Sequence, residues 1–207
     1  MVDLASGVIL SEVSAGGTIH DLGIEGDKLY VLLPTQLRAY DLTQIPPLFL
    51  GSVAVSANPA EGITAKKRLF VGGGIAYVSV YYGHETFTVT NTASMQRIGV
   101  AVDRGFNSFK QIILNGSGLG VAAVGVNPVN DGTHDISLYN ESSPAVTTNF
   151  LTTFVTPGLA RAVALYNGLA YAADGDAGLT VINYLALDTA GSAPTASLKT
   201  SFAMNSY

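Results

Sequence analysis

The feature that most constrains this chain is a repeat. Four segments share one layout: an apolar strand, a glycine turn, a second strand, a polar loop, a third strand ending in Asp or Asn, and a fourth strand. The first turns read Glu25-Gly26-Asp27-Lys28, Gly72-Gly73-Gly74, Asn115-Gly116-Ser117-Gly118 and Asn167-Gly168. Gly-Gly and Asn-Gly supply the positive φ angles that tight hairpins need. Each turn leads into a strand of similar pattern: Leu29-Tyr30-Val31, Ile75-Ala76-Tyr77-Val78, Leu119-Gly120-Val121-Ala122 and Leu169-Ala170-Tyr171-Ala172. The third strands align as Leu37-x-Ala39-x-Asp41, Phe87-x-Val89-x-Asn91, Ile136-x-Leu138-x-Asn140 and Leu179-x-Val181-x-Asn183. Apolar residues at i and i+2 share one face of a strand. The closing Asp or Asn is predicted to accept nearby backbone N–H groups in an Asx-turn.

These strand ends, at Asp41, Asn91, Asn140 and Asn183, lie 50, 49 and 43 residues apart. That spacing is too long for leucine-rich or ankyrin repeats and falls in or near the range of propeller blades. No helical period is sustained, and the β-branched, glycine-rich texture favours strands. A lone four-stranded sheet cannot bury both faces, whereas radial stacking gives each sheet a neighbour. Small residues such as Ala39, Ala76, Ala122, Ala170 and Ala172 suit close sheet-on-sheet contact. The predicted fold is therefore all-β, a β-propeller-type array of four-stranded antiparallel blades.

Blades are predicted at residues 17–58, 62–106, 108–156 and 158–204, with 1–16 as the end of a preceding blade. Val2-Asp3 matches the end of a third strand, residues 7–14 match a fourth strand, and residues 195–202 read as the last repeat's own fourth strand. The expectation is an incomplete ring of about four and a half blades, with open edges at each end and the remaining blades supplied by a longer parent chain. A closed four-bladed ring with a spare strand is the alternative.

Composition narrows the partners. Hydrophobic residues make up 48% of the 207, which supports a large core, and charged residues only 12%. A net charge of −5 argues against a nucleic-acid surface. The Lys66-Lys67-Arg68 triplet reads as a solvated stretch of sheet. The absence of cysteine excludes disulfides, thiol catalysis and thiolate metal sites. No apolar stretch approaches the roughly 18 residues that span a bilayer as a helix, so no membrane insertion is expected.

The second and third strands, with their exit, resemble the LVIVD repeat of bacterial surface propellers. The match is best over Tyr171-Ala172-Ala173-Asp174-Gly175-Asp176-Ala177-Gly178-Leu179-Thr180-Val181-Ile182-Asn183. Leu37-Arg38-Ala39-Tyr40-Asp41-Leu42-Thr43, with Pro46-Pro47 beyond, repeats its second half. Asn replaces the strand-end Asp in three repeats, and Tyr184-Leu185-Ala186-Leu187 stands where the family has polar residues. The resemblance implies a secreted or cell-surface module, and it brings no catalytic motif. There is no tryptophan and no WD40 pattern.

Candidate chemistry is sparse. In a propeller the loops between strands two and three, and between blades, gather round the channel mouth, where binding concentrates. His84-Glu85 and His134-Asp135 are His–acid pairs at equivalent places in adjacent repeats, and their convergence would make a metal or acid–base site. Asp174 and Asp176 flank a glycine and offer two carboxylates to Ca²⁺, although Asp-Gly is also ordinary turn chemistry. The blade-to-blade loops at 56–61 and 103–105 complete that rim. No Gly-x-Ser-x-Gly elbow and no phosphate-cradling loop before a helix occurs. The favoured reading is a non-catalytic extracellular or cell-surface scaffold that binds a protein or glycan without a cofactor. Its rival is a hydrolase or lyase with its site on the channel-mouth loops, with metal assistance through His84, His134 or Asp174 as one form of it.

Overall fold

The structure is a computed structural model that describes residues 1–57, 67–102, 109–129, 132–188 and 197–202, for 126–129, 132–133 and 197–202 as backbone only. Four sheets follow one another along the chain, and each is antiparallel with its strands in sequence order. The first holds β1 (Asp21–Glu25), β2 (Lys28–Leu32), β3 (Gln36–Asp41) and β4 (Leu48–Ala54). The second holds β5 (Leu69–Gly72), β6 (Ile75–Val80), β7 (Gly83–Thr88) and β8 (Gln96–Gly99). The third holds β9 (Gln111–Leu114), β10 (Leu119–Val129), β11 (Gly132–Asn140) and β12 (Phe150–Phe154). The fourth holds β13 (Ala162–Tyr166), β14 (Leu169–Ala173), β15 (Leu179–Asn183) and β16 (Ser197–Phe202).

Local chemistry sets these boundaries. The β5–β6 turn has Gly73 at φ 64° and Gly74 at φ 74°, and the β13–β14 turn has Asn167 at φ 50° and Gly168 at φ 75°. Two successive positive φ angles are the signature of a type I′ hairpin, which matches the strand twist. The strand-end Asx residues behave alike. The side-chain oxygens of Asp41, Asn91, Asn140 and Asn183 accept from the N–H two residues on, at Thr43 (2.9 Å), Ala93 (3.2 Å), Ser142 (3.0 Å) and Leu185 (3.1 Å).

The core lies between sheets. Tyr30, Leu32, Leu37 and Ala39 of the first sheet meet Leu69, Ala76, Val78 and Phe87 of the second. Tyr77 and Phe70 meet Ile112, Ala122, Val124 and Tyr139 at the next seam. Val121, Leu138 and Phe154 meet Val163, Ala170, Ala172 and Ile182 at the last. Each fully buried Leu, Ile or Phe contributes about 1.5–3 kcal/mol, so these three seams carry most of the driving force. Side-chain clasps align the innermost strands: Asp21 Oδ2 accepts from Leu69 N (2.9 Å), and Gln111 Oε1 accepts from Val163 N (2.9 Å). The four sheets are not closed into a ring.

Two sequence expectations change. Phe87 pairs with Ala76 and therefore faces the first sheet, whereas Ala39, Leu138 and Val181 pair with Tyr30, Val121 and Tyr171 and face forward. The two-residue Tyr81-Tyr82 turn advances β7, and an odd offset flips a strand's faces. Residues 7–14 do not form a strand; the N-terminal segment folds back on itself through one bridge, Val2 to Ile9. Its Asp3 still caps an Asx-turn at Ala5 N (2.9 Å). The blade-to-blade residues 58–61 and 103–105, and Lys66, lie outside the described residues.

Candidate functional site

Strand alternation decides where the candidate groups go. His84 and Glu85 belong to β7, not to a loop, and adjacent strand residues point to opposite faces. Glu85 therefore enters the first seam and His84 the second.

In the first seam Glu85 is 1% exposed. Its carboxylate accepts from Ser56 N (3.0 Å) and Ser56 Oγ (2.6 Å), and Arg97 Nη1 stands 3.3 Å away. Lys67 reaches the same point from the second sheet. Its ammonium donates to Ser56 O (2.5 Å) and to Pro34 O. Buried charges persist only when paired and hydrogen-bonded, and Ser56 supplies both halves: donors to the anion, a carbonyl to the cation. Lys67 is 1% exposed, which corrects its reading as a solvated residue. The carbonyls of two loops, at 34 and 56, gather at its ammonium and replace water.

In the second seam His84 Nε2 lies 3.0 Å from Glu141 Oε1, and neither side chain exceeds 1% exposure. The imidazole sits among Phe109 (5.7 Å), Tyr139 (5.9 Å) and Tyr77 (6.4 Å) rings. Burial, aided by the Glu141 charge, pushes the Tyr77 hydroxyl well above the ordinary phenol range. His134 is fully buried on β11 and stacks against Phe150 at 4.2 Å, with Ser137 Oγ 3.3 Å from its Nδ1. β10 and β11 extend as one long hairpin, with Asn127 opposite His134, where a loop was expected. Between the two histidines stand Tyr139 and Phe150, themselves 6.0 Å apart. The His–acid pairs thus do not converge, and among the described residues no three His, Cys, Asp or Glu groups gather as a metal site.

The third seam holds the densest polar cluster. Asp135 Oδ2 accepts from Thr156 N (2.7 Å) and lies 2.6 Å from Thr156 Oγ1. Asp174 Oδ1 lies 2.6 Å from the same hydroxyl, and its Oδ2 accepts from Gly158 N (3.0 Å) and Thr180 Oγ1 (2.9 Å). Both carboxyls are fully buried. A hydroxyl has one proton and satisfies one of the two short contacts, so the other requires a protonated carboxyl. Of the two, Asp135 is the one whose pKa burial holds above the usual carboxylate value; the Thr156 bonds oppose that shift and the Asp174 charge adds to it. Asp176, by contrast, sits exposed on the 3-10 turn Gly175–Ala177. Asp174 is engaged at both oxygens.

Sequence reasoning missed Glu141, Lys67 and Thr156. Only the packing of sheets and loops reveals them, since each partner lies 11 or more residues away in sequence. It also missed an open groove of about 650 Å³ on the outer face of the first sheet, lined by Leu22, Leu29, Val31 and Tyr40 and by the N-terminal segment at 11–15. Arg38 Nη1 ties that segment down through Ala15 O (2.7 Å).

No protein-family model and no curated protein matches the sequence. Solved structures do match in fold. The β-propeller domain of Myceliophteria thermophila Cps50 (Swd1) aligns with a TM-score of 0.63 at 10% identity, over 90% of this chain and 60% of that one. A functionally unknown protein from Desulfotomaculum acetoxidans DSM 771 aligns at 0.62 and 13% identity, over 90% and 56%. The computationally designed Ika4 protein aligns at 0.58 and 9% identity, over 84% and 97%. The chain spans little more than half of the two natural proteins. The class is a β-propeller-type array of four blades. At these identities the likeness concerns the fold alone.

Proposed function

We propose that this chain is a non-catalytic propeller module that serves as a binding scaffold for a protein or glycan ligand. One observation carries the reading. Glu85, Asp135 and Asp174 are each 1% exposed or less and accept from Ser56, Thr156 and Gly158 of the loops between blades, while His84, 1% exposed, lies 3.0 Å from Glu141 beyond β11. The groups with acid–base chemistry are committed to holding sheets together. What faces solvent is a surface poor in charge. The LVIVD resemblance supports placement outside the cell or on its surface, and the ligand is bound without a cofactor.

The enzyme reading has one point in its favour, the Asp135–Thr156–Asp174 cluster, which sets a raised carboxyl beside a second one. Full burial of both acids counts against substrate access. A single experiment separates the readings. The chain and its Asp135→Asn variant are tested against arrays of surface proteins and glycans, and against chromogenic ester and glycoside substrates. The scaffold reading expects saturable binding that the variant keeps. Turnover that vanishes in a natively folded Asp135→Asn protein would overturn it.

A further inference from the structure

The cations of this chain divide into two kinds. Seven Lys and Arg side chains are described. Four are tied down: Lys28 by Asp27 and Asp41, Arg38 by Gln36 and Ala15 O, Lys67 by Pro34 O and Ser56 O, and Arg97 by Glu85 and Ala54 O. The other three, Arg68, Lys110 and Arg161, have no side-chain hydrogen bond or ion pair among the described residues. All three stand at the heads of innermost strands in successive sheets, β5, β9 and β13.

Register makes this placement systematic. Gly23, Phe70, Ile113 and Ala164 lie opposite the matched strand-two residues Tyr30, Tyr77, Val121 and Tyr171. Three residues before them stand His20, Lys67, Lys110 and Arg161. In the first two sheets that basic group is consumed: His20 Nδ1 accepts from Lys67 N (3.4 Å), and the Lys67 ammonium meets loop carbonyls. In the third and fourth sheets it is left over. The strand heads are held side by side. The Ser79 hydroxyl accepts from Arg68 N (3.0 Å) and donates to Lys110 O (2.9 Å), and Gln111 Oε1 accepts from Val163 N (2.9 Å).

Cations so placed cost stability. Lys110 is half-buried, and burial first, then the Arg161 charge, holds its pKa below the ordinary lysine value. Asp176, exposed on the loop beside Arg161, makes no ion pair with it. A part-buried charge with a like-charged neighbour and no counterion is the pattern of a binding site rather than of a stabilising clasp.

We propose that Arg68, Lys110 and Arg161 form a carboxylate-binding site for an acidic segment of a protein partner, a reading that rests on the scaffold function above. Arginine offers a two-pronged donor and lysine a point charge, and a carboxylate accepts both. The net charge of −5 selects the class of ligand. A long polyanion meets repulsion from the rest of the surface, whereas one or two carboxylates engage this patch alone.

Isothermal titration calorimetry of the full chain at low salt tests this with a capped peptide carrying two adjacent glutamates and its diglutamine counterpart. The diglutamate peptide should bind and the diglutamine peptide should not. Lys110→Gln and Arg161→Gln should each weaken binding by roughly tenfold. Both variants should melt no lower than the wild type, because neither side chain has a partner to lose. Lys28→Gln, on the far hairpin of the first sheet, should bind as the wild type does. Silence with the diglutamate peptide, equal binding of the diglutamine peptide, or an equal loss in Lys28→Gln would overturn the site. So would a sulfated disaccharide that binds where the peptide does not. Protein-array ligands held equally by the wild type and a Lys110→Gln/Arg161→Gln double variant, with no peptide binding, would overturn this site and leave the scaffold reading standing. A wild type that binds neither the arrays nor the peptide would overturn both.

Discussion

Replacing Asp135 by Asn should change the pH dependence of stability more than stability itself. Asp135 and Asp174 each place an oxygen 2.6 Å from Thr156 Oγ1, and one hydroxyl proton cannot serve both. Sharing one hydroxyl keeps the two oxygens within at most about 5 Å of each other, and at an effective dielectric constant near 20 two unit charges at that limit repel by about 3 kcal/mol. Folding therefore raises the pKa of Asp135 above the ordinary value of 3.8, through burial first, with the Asp174 charge adding to it. A carboxyl raised by folding stabilises fully below its unfolded pKa, and that contribution fades as pH rises through the folded value. Asparagine keeps the volume and carries no charge at any pH, so its hydrogen-bond mismatch is a constant offset. Urea unfolding of both proteins from pH 4 to 7.5 should show the wild type losing about 1–3 kcal/mol relative to the variant as pH rises. The comparison cancels the surface aspartates, such as Asp41, whose pKa the Thr43 hydroxyl holds down and whose contribution runs the opposite way. Parallel profiles would refute the shared-proton argument.

Three further substitutions probe the same architecture. Gly158→Ala would put a Cβ 1.9 Å from the Asp174 carbonyl oxygen; chemical denaturation should show a loss of about 2–4 kcal/mol as the loop shifts and its bond to Asp174 breaks. Lys67→Met should cost about 2 kcal/mol despite its apolar side chain, because the Pro34 and Ser56 carbonyls lose their donor; a melting scan checks this. Asn183→Ala removes the Asx-turn at Leu185 N, and a thermal melt should fall by about 2–4 °C for each kcal/mol of the expected 0.5–1.5.

The repeat was legible because its signals are local. An Asx residue closing a turn two residues on, or a Gly-Gly pair at positive φ, needs no knowledge of the rest of the chain, and all four strand ends behave accordingly. The face assignment of β7 was not legible, because it depends on the length of the Tyr81-Tyr82 turn rather than on the apolar spacing of Phe87 and Val89. The polar seams were harder still. Glu85 finds Ser56, His84 finds Glu141, and Asp174 finds Thr156 only once sheets stack. Read as loop residues, these groups look like a site; placed on strands and at seam ends, they act as clasps. Lys67 inverted in the same way, because loop carbonyls 33 and 11 residues away in sequence enclose it.

Amide hydrogen exchange tests the central claim most directly, that the buried acids bind blade to blade. Ser56 N, Thr156 N and Gly158 N lie outside every strand and donate to Glu85, Asp135 and Asp174. The account predicts that these three amides exchange as slowly as those of the central strands β6 and β14. Exchange at the rate of an open loop would contradict it.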